Sequence, residues 1–142
     1  MPDEKKYRIL IIDDDVGFRD LLRLHLKAAG YEVQVAEDGV TGGRALLEQT
    51  PDLVVSDLNM PYLDGFELLR LLHSDAETAS IPVILLSGRS DSDTMAKAVE
   101  LGASDYLSKP VTRDQLLESI EACLRRSKGR TQSPDYGSTP AV

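Results

Sequence analysis

Polar side chains of reactive types stand within two residues of the ends of four short apolar runs of the chain. They are Asp13 with Asp14, Asp57, Ser87 and Lys109. Buried strands of parallel sheets read as such apolar runs, and ligands of open α/β sheets bind at the carboxyl ends of the strands. The sequence therefore predicts that these side chains meet in one crevice at an edge of a sheet.

Three carboxylates, a hydroxyl and an ammonium in one crevice would suit phosphoryl transfer. Like charges at close range raise each other's pKa unless a cation offsets them, and Mg²⁺ is a hard cation that takes one or two carboxylates. Asp13 and Asp14 are the candidate metal ligands, which leaves Asp57, on the central run, to attack phosphorus as a nucleophile. Lys109 and Ser87 would contact the oxygens of the transferred group.

Each of these residues also has an ordinary structural interpretation. Adjacent acids after a strand are common in turns and at helix N-termini, and Asp15 is the predicted N-cap of the first helix. A single aspartate such as Asp57 is more often a loop residue than a nucleophile. The functional hypothesis depends on the conjunction, because compatible groups follow four separate apolar runs.

The elements that would position these groups alternate along the chain, which is typical of an α/β fold with a parallel sheet. The predicted strands are 8–12, 32–36, 53–56, 82–87 and 105–108, and the predicted helices are 17–29, 40–49, 65–73, 92–102 and 113–126. Gly30 and Gly102 mark helix ends, and Thr112 with Gln115 forms a predicted capping box. Helix propensity disfavours the second helix, because it contains a Gly-Gly pair and each glycine costs about 1 kcal/mol relative to alanine.

Composition places the chain among single-domain globular proteins. It has 142 residues, a net charge of −8 and a pI of about 4.7, which disfavours direct binding to nucleic acid or anionic lipid. The chain has no apolar run of membrane-spanning length, and its start does not resemble a secretory signal, so we expect a cytoplasmic protein. The single Cys123 can form no intramolecular disulfide. We expect an N-terminal extension at 1–6, one domain at 7–126 and a disordered tail or linker at 127–142.

Four segments together closely resemble the receiver domain of two-component response regulators, the family to which chemotaxis regulators belong. They are 9–15 (ILIIDDD), 56–65 (SDLNMPYLDG), 83–88 (VILLSG) and 102–110 (GASDYLSKP). The resemblance covers about residues 7–126 and keeps the order and spacing of the segments. It implies a doubly wound (βα)5 flavodoxin-like fold whose five-stranded parallel sheet has the order 2-1-3-4-5.

The resemblance also implies a role for each residue of the acidic group. Asp57 matches the phosphoacceptor, which takes phosphate from a histidine kinase or a histidine phosphotransfer protein. Asp13 and Asp14 match the acid pair of the Mg²⁺ site, which Mn²⁺ or Ca²⁺ could fill in a crystal. Asp57 and the backbone carbonyl of Asn59 would be further ligands.

Further positions match the residues that read the phosphoryl group. Ser87 and Tyr106 match the switch pair, Lys109 matches the lysine of the family, and its bond to Pro110 is typically cis there. Two loop residues after the acceptor, Pro61 and Gly65, also match, and the residues at 59 and 89 occupy positions that influence the hydrolysis rate of the acyl phosphate.

As a receiver domain, the chain would be a bacterial regulatory phosphoacceptor that catalyses only its own phosphorylation and dephosphorylation. Phosphorylation would switch the surface formed by residues 92–126, with a phosphorylation-dependent homodimer as one outcome. The resemblance implies a downstream effector without identifying it, and no direct contact of this domain with nucleic acid or membrane.

Two other functions compete with this one. A haloacid dehalogenase-like phosphatase would use Asp13 as its nucleophile, with Asp15 and Val16 completing a similar motif. That family needs a further acidic pair after its lysine, and it gives Asp57 and the Lys109-Pro110 pair no role. A receiver-like module that only binds partners without phosphorylation is disfavoured because every reactive position is intact.

Overall fold

The computed structural model describes residues 6–88 and 91–132, with side chains as far as Ser127. Five strands and five helices alternate in it, as the sequence predicts. The elements are β1 (Arg8–Ile12), α1 (Val16–Ala28), β2 (Glu32–Ala36), α2 (Gly39–Glu48), β3 (Leu53–Asp57), α3 (Gly65–His73), β4 (Val83–Ser87), α4 (Ser92–Glu100), β5 (Asp105–Ser108) and α5 (Arg113–Gln132).

The sheet is parallel, and its strands lie in the order β2-β1-β3-β4-β5. This confirms the doubly wound flavodoxin-like fold that the resemblance implies. The register aligns the strand ends: Ile12 pairs with Ser56, Asp57 with Leu86, and Ser87 with Ser108. The residues that follow or end β1, β3, β4 and β5 therefore lie at one edge of the sheet.

Two apolar layers hold helices to the two faces of this sheet. Side chains of a strand alternate between faces, so Leu10 and Ile12 of β1 belong to the layer under α2, α3 and α4. Ile9 and Ile11 belong to the opposite layer, with α1 and α5. All four side chains are fully buried. β1 is thus covered on both faces, which explains why its sequence is a continuous apolar run.

α2 forms in full despite its Gly-Gly pair, because one of the glycines allows a close approach to the sheet. A Cβ on Gly42 would lie 2.5 Å from Cδ1 of Ile12, whereas a Cβ on Gly43 would meet nothing within 4 Å. Asp38 and Thr41 form a capping box at the start of the helix. The helix that propensity disfavours is therefore stabilised by its capping box and by its contact with β1.

The residues predicted to mark four other helix ends are confirmed in that role. Asp15 caps α1 by accepting a hydrogen bond from the Phe18 N–H at 3.1 Å. Thr112 and Gln115 form the reciprocal bonds of a capping box, at 2.9 and 3.1 Å. Gly30 and Gly102 follow α1 and α4 with φ of 99° and 91°, the left-handed region that glycine adopts without strain.

α5 ends at Gln132, six residues beyond the predicted end at 126 and inside the segment predicted to be a tail. Polar residues can continue a helix whose earlier turns are already packed, since propagation costs much less than nucleation. The rest of the predicted tail, 133–142, and residues 1–5 lie outside the described residues. Within the described ranges, no helix is both long and apolar enough to cross a bilayer.

Candidate functional site

The sheet edge brings together the acids and the lysine that the sequence singles out. Lys109 Nζ lies 3.3 Å from Asp13 Oδ2 and 3.4 Å from Asp57 Oδ1. Asp13, Asp14 and Asp57 each offer a carboxylate oxygen, and these oxygens lie within 4.8 Å of one another. Three separate strand ends therefore supply one cluster of charged groups, as predicted.

Asp13 is held in place by bonds to its side chain and its backbone. It is 1% exposed; its Oδ1 accepts the Asp15 N–H at 2.9 Å while its Oδ2 faces Lys109. The Arg19 guanidinium donates to the Asp13 carbonyl oxygen at 3.0 Å. The first turn of α1 thus fixes the acid that follows β1.

Asp57 is a buried carboxylate, 7% exposed, at the last position of β3. Burial raises its pKa above the ordinary aspartate value, and the negative charge of Asp13 raises it further. The Lys109 ammonium and the Asn59 backbone N–H act in the opposite direction without cancelling the rise. The carboxylate is therefore poorly solvated and has a cation beside it, a suitable environment for a nucleophile.

The loop after Asp57 closes tightly against the strand end. A Cβ on Gly65 would lie 3.0 Å from the Leu58 Cα and 3.1 Å from the Asp57 carbonyl oxygen. The Gly65 N–H also donates to the Leu58 carbonyl at 2.8 Å. Tyr62 has φ of 71°, in a turn where the Leu63 N–H reaches the Pro61 carbonyl at 2.7 Å. A side chain at position 65 would crowd this strand end, because α3 begins in contact with the backbone of Leu58 and Asp57.

Ser87 and Tyr106 occupy the neighbouring strands β4 and β5. Only Ser87 lies at the carboxyl ends of the strands, where the acid cluster is. Ser87 is fully buried at the end of β4, where its carbonyl accepts the Lys109 N–H at 2.7 Å. Tyr106 pairs with Leu85 within the sheet and packs, partly buried, against the core under α2, α3 and α4. The Lys109–Pro110 peptide bond is cis, as the resemblance implies.

Two residues of α1 belong to this site although the sequence reasoning missed them. Lys109 Nζ lies 4.6 Å from the centroid of the Phe18 ring. Arg19, next in the chain, binds the Asp13 carbonyl. Their position within one turn of the N-cap Asp15 was an available signal, since the first turn of a helix that follows β1 must lie beside the end of that strand.

The acid cluster fits a hard divalent cation by its chemistry. All candidate ligand atoms are carboxylate oxygens, two of the three residues are buried and Asp14 is exposed, so the cluster is open on one side. Mg²⁺ prefers oxygen ligands and keeps several of its waters, which an open side permits. The contribution of the Asn59 carbonyl stays a prediction.

Comparisons with known proteins agree with this geometry. The family model described as the response regulator receiver domain matches residues 9–121. The chain is 41% identical over 120 residues to the DNA-binding dual master transcriptional regulator RpaA of Synechocystis sp., covering 84% of this chain and 50% of that protein. It is 35% identical over 127 residues to the phosphate regulon transcriptional regulatory protein PhoB of Pseudomonas aeruginosa, covering 89% and 56%. The chain thus spans about half the length of the curated relatives it matches.

Solved structures show the same fold. A response regulator receiver domain protein from Clostridium thermocellum superposes with a TM-score of 0.80 at 34% identity, covering 86% of this chain and 97% of that one. A CheY-like receiver domain protein from Methanospirillum hungatei gives 0.83 at 28% identity, covering 89% and 99%. These findings leave the dehalogenase-like alternative without support. The chain belongs to the receiver domain family of two-component response regulators.

Proposed function

We propose that Asp57 is the phosphoacceptor of this receiver domain and that a histidine kinase or a histidine phosphotransfer protein supplies the phosphoryl group. The supporting observation is the charge arrangement around one buried carboxylate. Asp57 has the oxygens of Asp13 and Asp14 within 4.8 Å and the Lys109 ammonium at 3.4 Å. This combination offers a nucleophile, a site for a divalent cation and a fixed positive charge.

In the proposed reaction a carboxylate oxygen of Asp57 attacks phosphorus. The new oxygen–phosphorus bond forms an acyl phosphate, and the bond between phosphorus and the histidine nitrogen of the donor breaks. The Lys109 ammonium needs only a small shift to contact a phosphoryl oxygen, and the Ser87 hydroxyl binds another. Mg²⁺, when bound at Asp13, Asp14 and Asp57 with the Asn59 carbonyl, supplies charge neutralisation for the transferred group.

The acyl phosphate would in turn change the conformation of one surface of the domain. Lys109 and Ser87 are joined by a backbone hydrogen bond of 2.7 Å, which ties the end of β4 to the segment after β5. Movement of Ser87 toward the phosphoryl group, with Tyr106 moving inward, would shift the population of conformations of residues 92–126. That surface would contact the effector or a second copy of the chain. The domain would be a regulatory phosphoacceptor that catalyses only its own phosphorylation and dephosphorylation.

Intact mass after incubation with Mg²⁺ and a small acyl phosphate donor tests the acceptor. We expect the wild type to gain the mass of one phosphoryl group and Asp57→Asn to gain none. Asp20→Asn, a change at an exposed position of α1, is the matched control and should be labelled like the wild type. Labelling of Asp57→Asn to the extent of the wild type would refute the assignment, as would full labelling of the wild type in excess chelator.

Hydrogen exchange tests the proposed switch. Phosphorylation of the wild type should change amide exchange in residues 92–126. Ser87→Ala should still accept phosphate but show a smaller change in the exchange of residues 92–126, because it lacks the hydroxyl that binds the phosphoryl group. Exchange that responds equally in both proteins would contradict the role of Ser87. Gel filtration of the phosphorylated wild type shows whether the switched surface pairs two copies.

A further inference from the structure

Phe18 lies at the site without any role in the proposed chemistry. It occupies the first turn of α1, and the Lys109 ammonium lies 4.6 Å from the centroid of its ring. A cation within about 6 Å of an aromatic centroid is attracted by the negative face of the ring. The ring is therefore a third contact of the ammonium, besides the two carboxylates.

The two carboxylate contacts alone hold the ammonium loosely. At 3.3 Å from Asp13 and 3.4 Å from Asp57, both are longer than the roughly 2.7 to 2.9 Å of a charge-assisted hydrogen bond. The Lys109 side chain is also 25% exposed, and its four-carbon stem is flexible. The contact with the Phe18 ring therefore contributes to fixing the position of the ammonium.

Phe18 is itself fixed by contacts that do not involve Lys109. Its N–H donates to the Asp15 side chain at 3.1 Å, and its ring packs against the apolar layer that includes α1 and α5. The neighbouring Arg19 binds the Asp13 carbonyl. One turn of helix thus sets the position of the ring and that of an acid which the same ammonium contacts.

We propose that Phe18 is a positioning residue for the Lys109 ammonium. Its ring face holds the charge between Asp13 and Asp57, so that transfer of a phosphoryl group to Asp57 requires only a small displacement of the cation. Placing a charge before the reaction reduces the reorganisation needed in the transition state. The proposal rests on the proposed roles of Asp57 and Lys109. A purely structural Phe18 would fill the core, and any apolar side chain of similar size could replace it.

The first test is the rate of phosphorylation by a small acyl phosphate donor with saturating Mg²⁺. Phe18→Leu keeps an apolar side chain and removes the ring face, so we expect the rate to fall by about 3- to 10-fold. Phe18→Tyr keeps the ring face and should restore the rate to within about 2-fold of the wild type. A leucine variant as fast as the wild type, or a tyrosine variant as slow as leucine, would overturn the proposal.

Fluorinated phenylalanines at position 18 separate electrostatics from packing. Added fluorine atoms weaken the negative face of the ring while changing its shape little, so the rate should fall stepwise as fluorines are added. The equilibrium constant of unfolding should change by no more than the about 2- to 5-fold that the loss of this one contact explains. The energetic link to Lys109 is measured by a double-mutant cycle on the unfolding equilibrium with Lys109→Met. We expect the effects of Phe18→Leu and Lys109→Met to be non-additive by about 2- to 5-fold in the equilibrium constant.

The outcomes distinguish this proposal from the proposed function. A rate independent of ring fluorination, or additive effects in the cycle, would refute the role of Phe18 while Asp57 still becomes phosphorylated. Loss of the proposed function would appear differently, as a wild type that takes no phosphate or as equal labelling of Asp57→Asn. A stepwise fall of the rate together with non-additivity supports the contact between the ring and the ammonium.

Discussion

Replacing Asp57 by asparagine should stabilise the folded domain although it removes the proposed nucleophile. Asparagine has nearly the same shape and carries no charge. Asp57 is buried close to Asp13, and its raised pKa shows that the folded environment disfavours its ionised form. The substitution removes a charge that the fold holds at a cost.

The charges around Asp57 set the magnitude. At an effective dielectric constant of about 20, two unit charges repel by about 3.5 kcal/mol at the 4.8 Å limit of the carboxylate cluster. The attraction of Lys109 at 3.4 Å is about 4.9 kcal/mol on the same scale. These terms largely offset each other, so the loss of hydration decides the sign. We expect Asp57→Asn to raise the free energy of unfolding by about 1 to 3 kcal/mol at neutral pH.

The stabilisation should depend on pH in a defined direction. Because the pKa of folded Asp57 is raised, the native state binds the proton more tightly than the unfolded state does. Below the ordinary value of 3.8 the residue is neutral in both states, and the advantage of asparagine vanishes. The advantage grows as pH rises from 3.8 through the raised folded pKa, and it stays constant above that. Urea unfolding followed by circular dichroism, in the presence of a chelator, measures it at each pH.

Asp20→Asn is the control, because it makes the same chemical change at an exposed position of α1 whose stability effect should be small. An Asp57→Asn protein no more stable than the wild type at neutral pH would refute the charge argument. A gain of the same size at acidic and neutral pH would also refute it, since that result would point to packing.

Three further expectations concern stability. Gly42→Ala should lower the free energy of unfolding by about 1 to 3 kcal/mol through overpacking, whereas Gly43→Ala should raise it by up to about 1 kcal/mol, as urea titration can measure. Ser119→Ala should lower it by about 1 to 3 kcal/mol, because the Ser119 hydroxyl donates to Asp105 Oδ2 at 2.5 Å; an unchanged midpoint of thermal unfolding would contradict this. Lys109→Met should lower the free energy of unfolding by about 2 to 4 kcal/mol in chelator, because Asp13 and Asp57 lose their cation. Added Mg²⁺ should raise the unfolding temperature of this variant more than that of the wild type.

Strand positions could be read from the sequence because burial on both faces of a parallel sheet demands continuous apolar runs. The predicted strands 8–12 and 82–87 end where β1 and β4 end, and the predicted strand 53–56 ends one residue before β3 does. The order of the strands did not follow from periodicity and came with the family resemblance. Contacts that depend on how a helix docks, such as the ring of Phe18 over Lys109, needed the three-dimensional structure.

Two features could not be judged from propensity alone. Gly42 and Gly43 look equivalent in the sequence, yet only the first faces the sheet, because the rotation of α2 about its axis decides which glycine meets Ile12. The end of α5 at Gln132 depends on helix propagation from packed turns, which the polar composition after 126 does not indicate.

The position of Lys109 also bears on whether this domain can fold before it binds a divalent ion. Its ammonium stands beside the carboxylates of Asp13 and Asp57, where a divalent ion is proposed to bind. The lysine thereby acts as a resident counterion that moderates the repulsion between these acids in the absence of metal. Under the proposed function, the phosphorylation of Asp57 requires the divalent ion, whereas folding would not require it. A newly made chain can reach its native state first and acquire its ion afterwards.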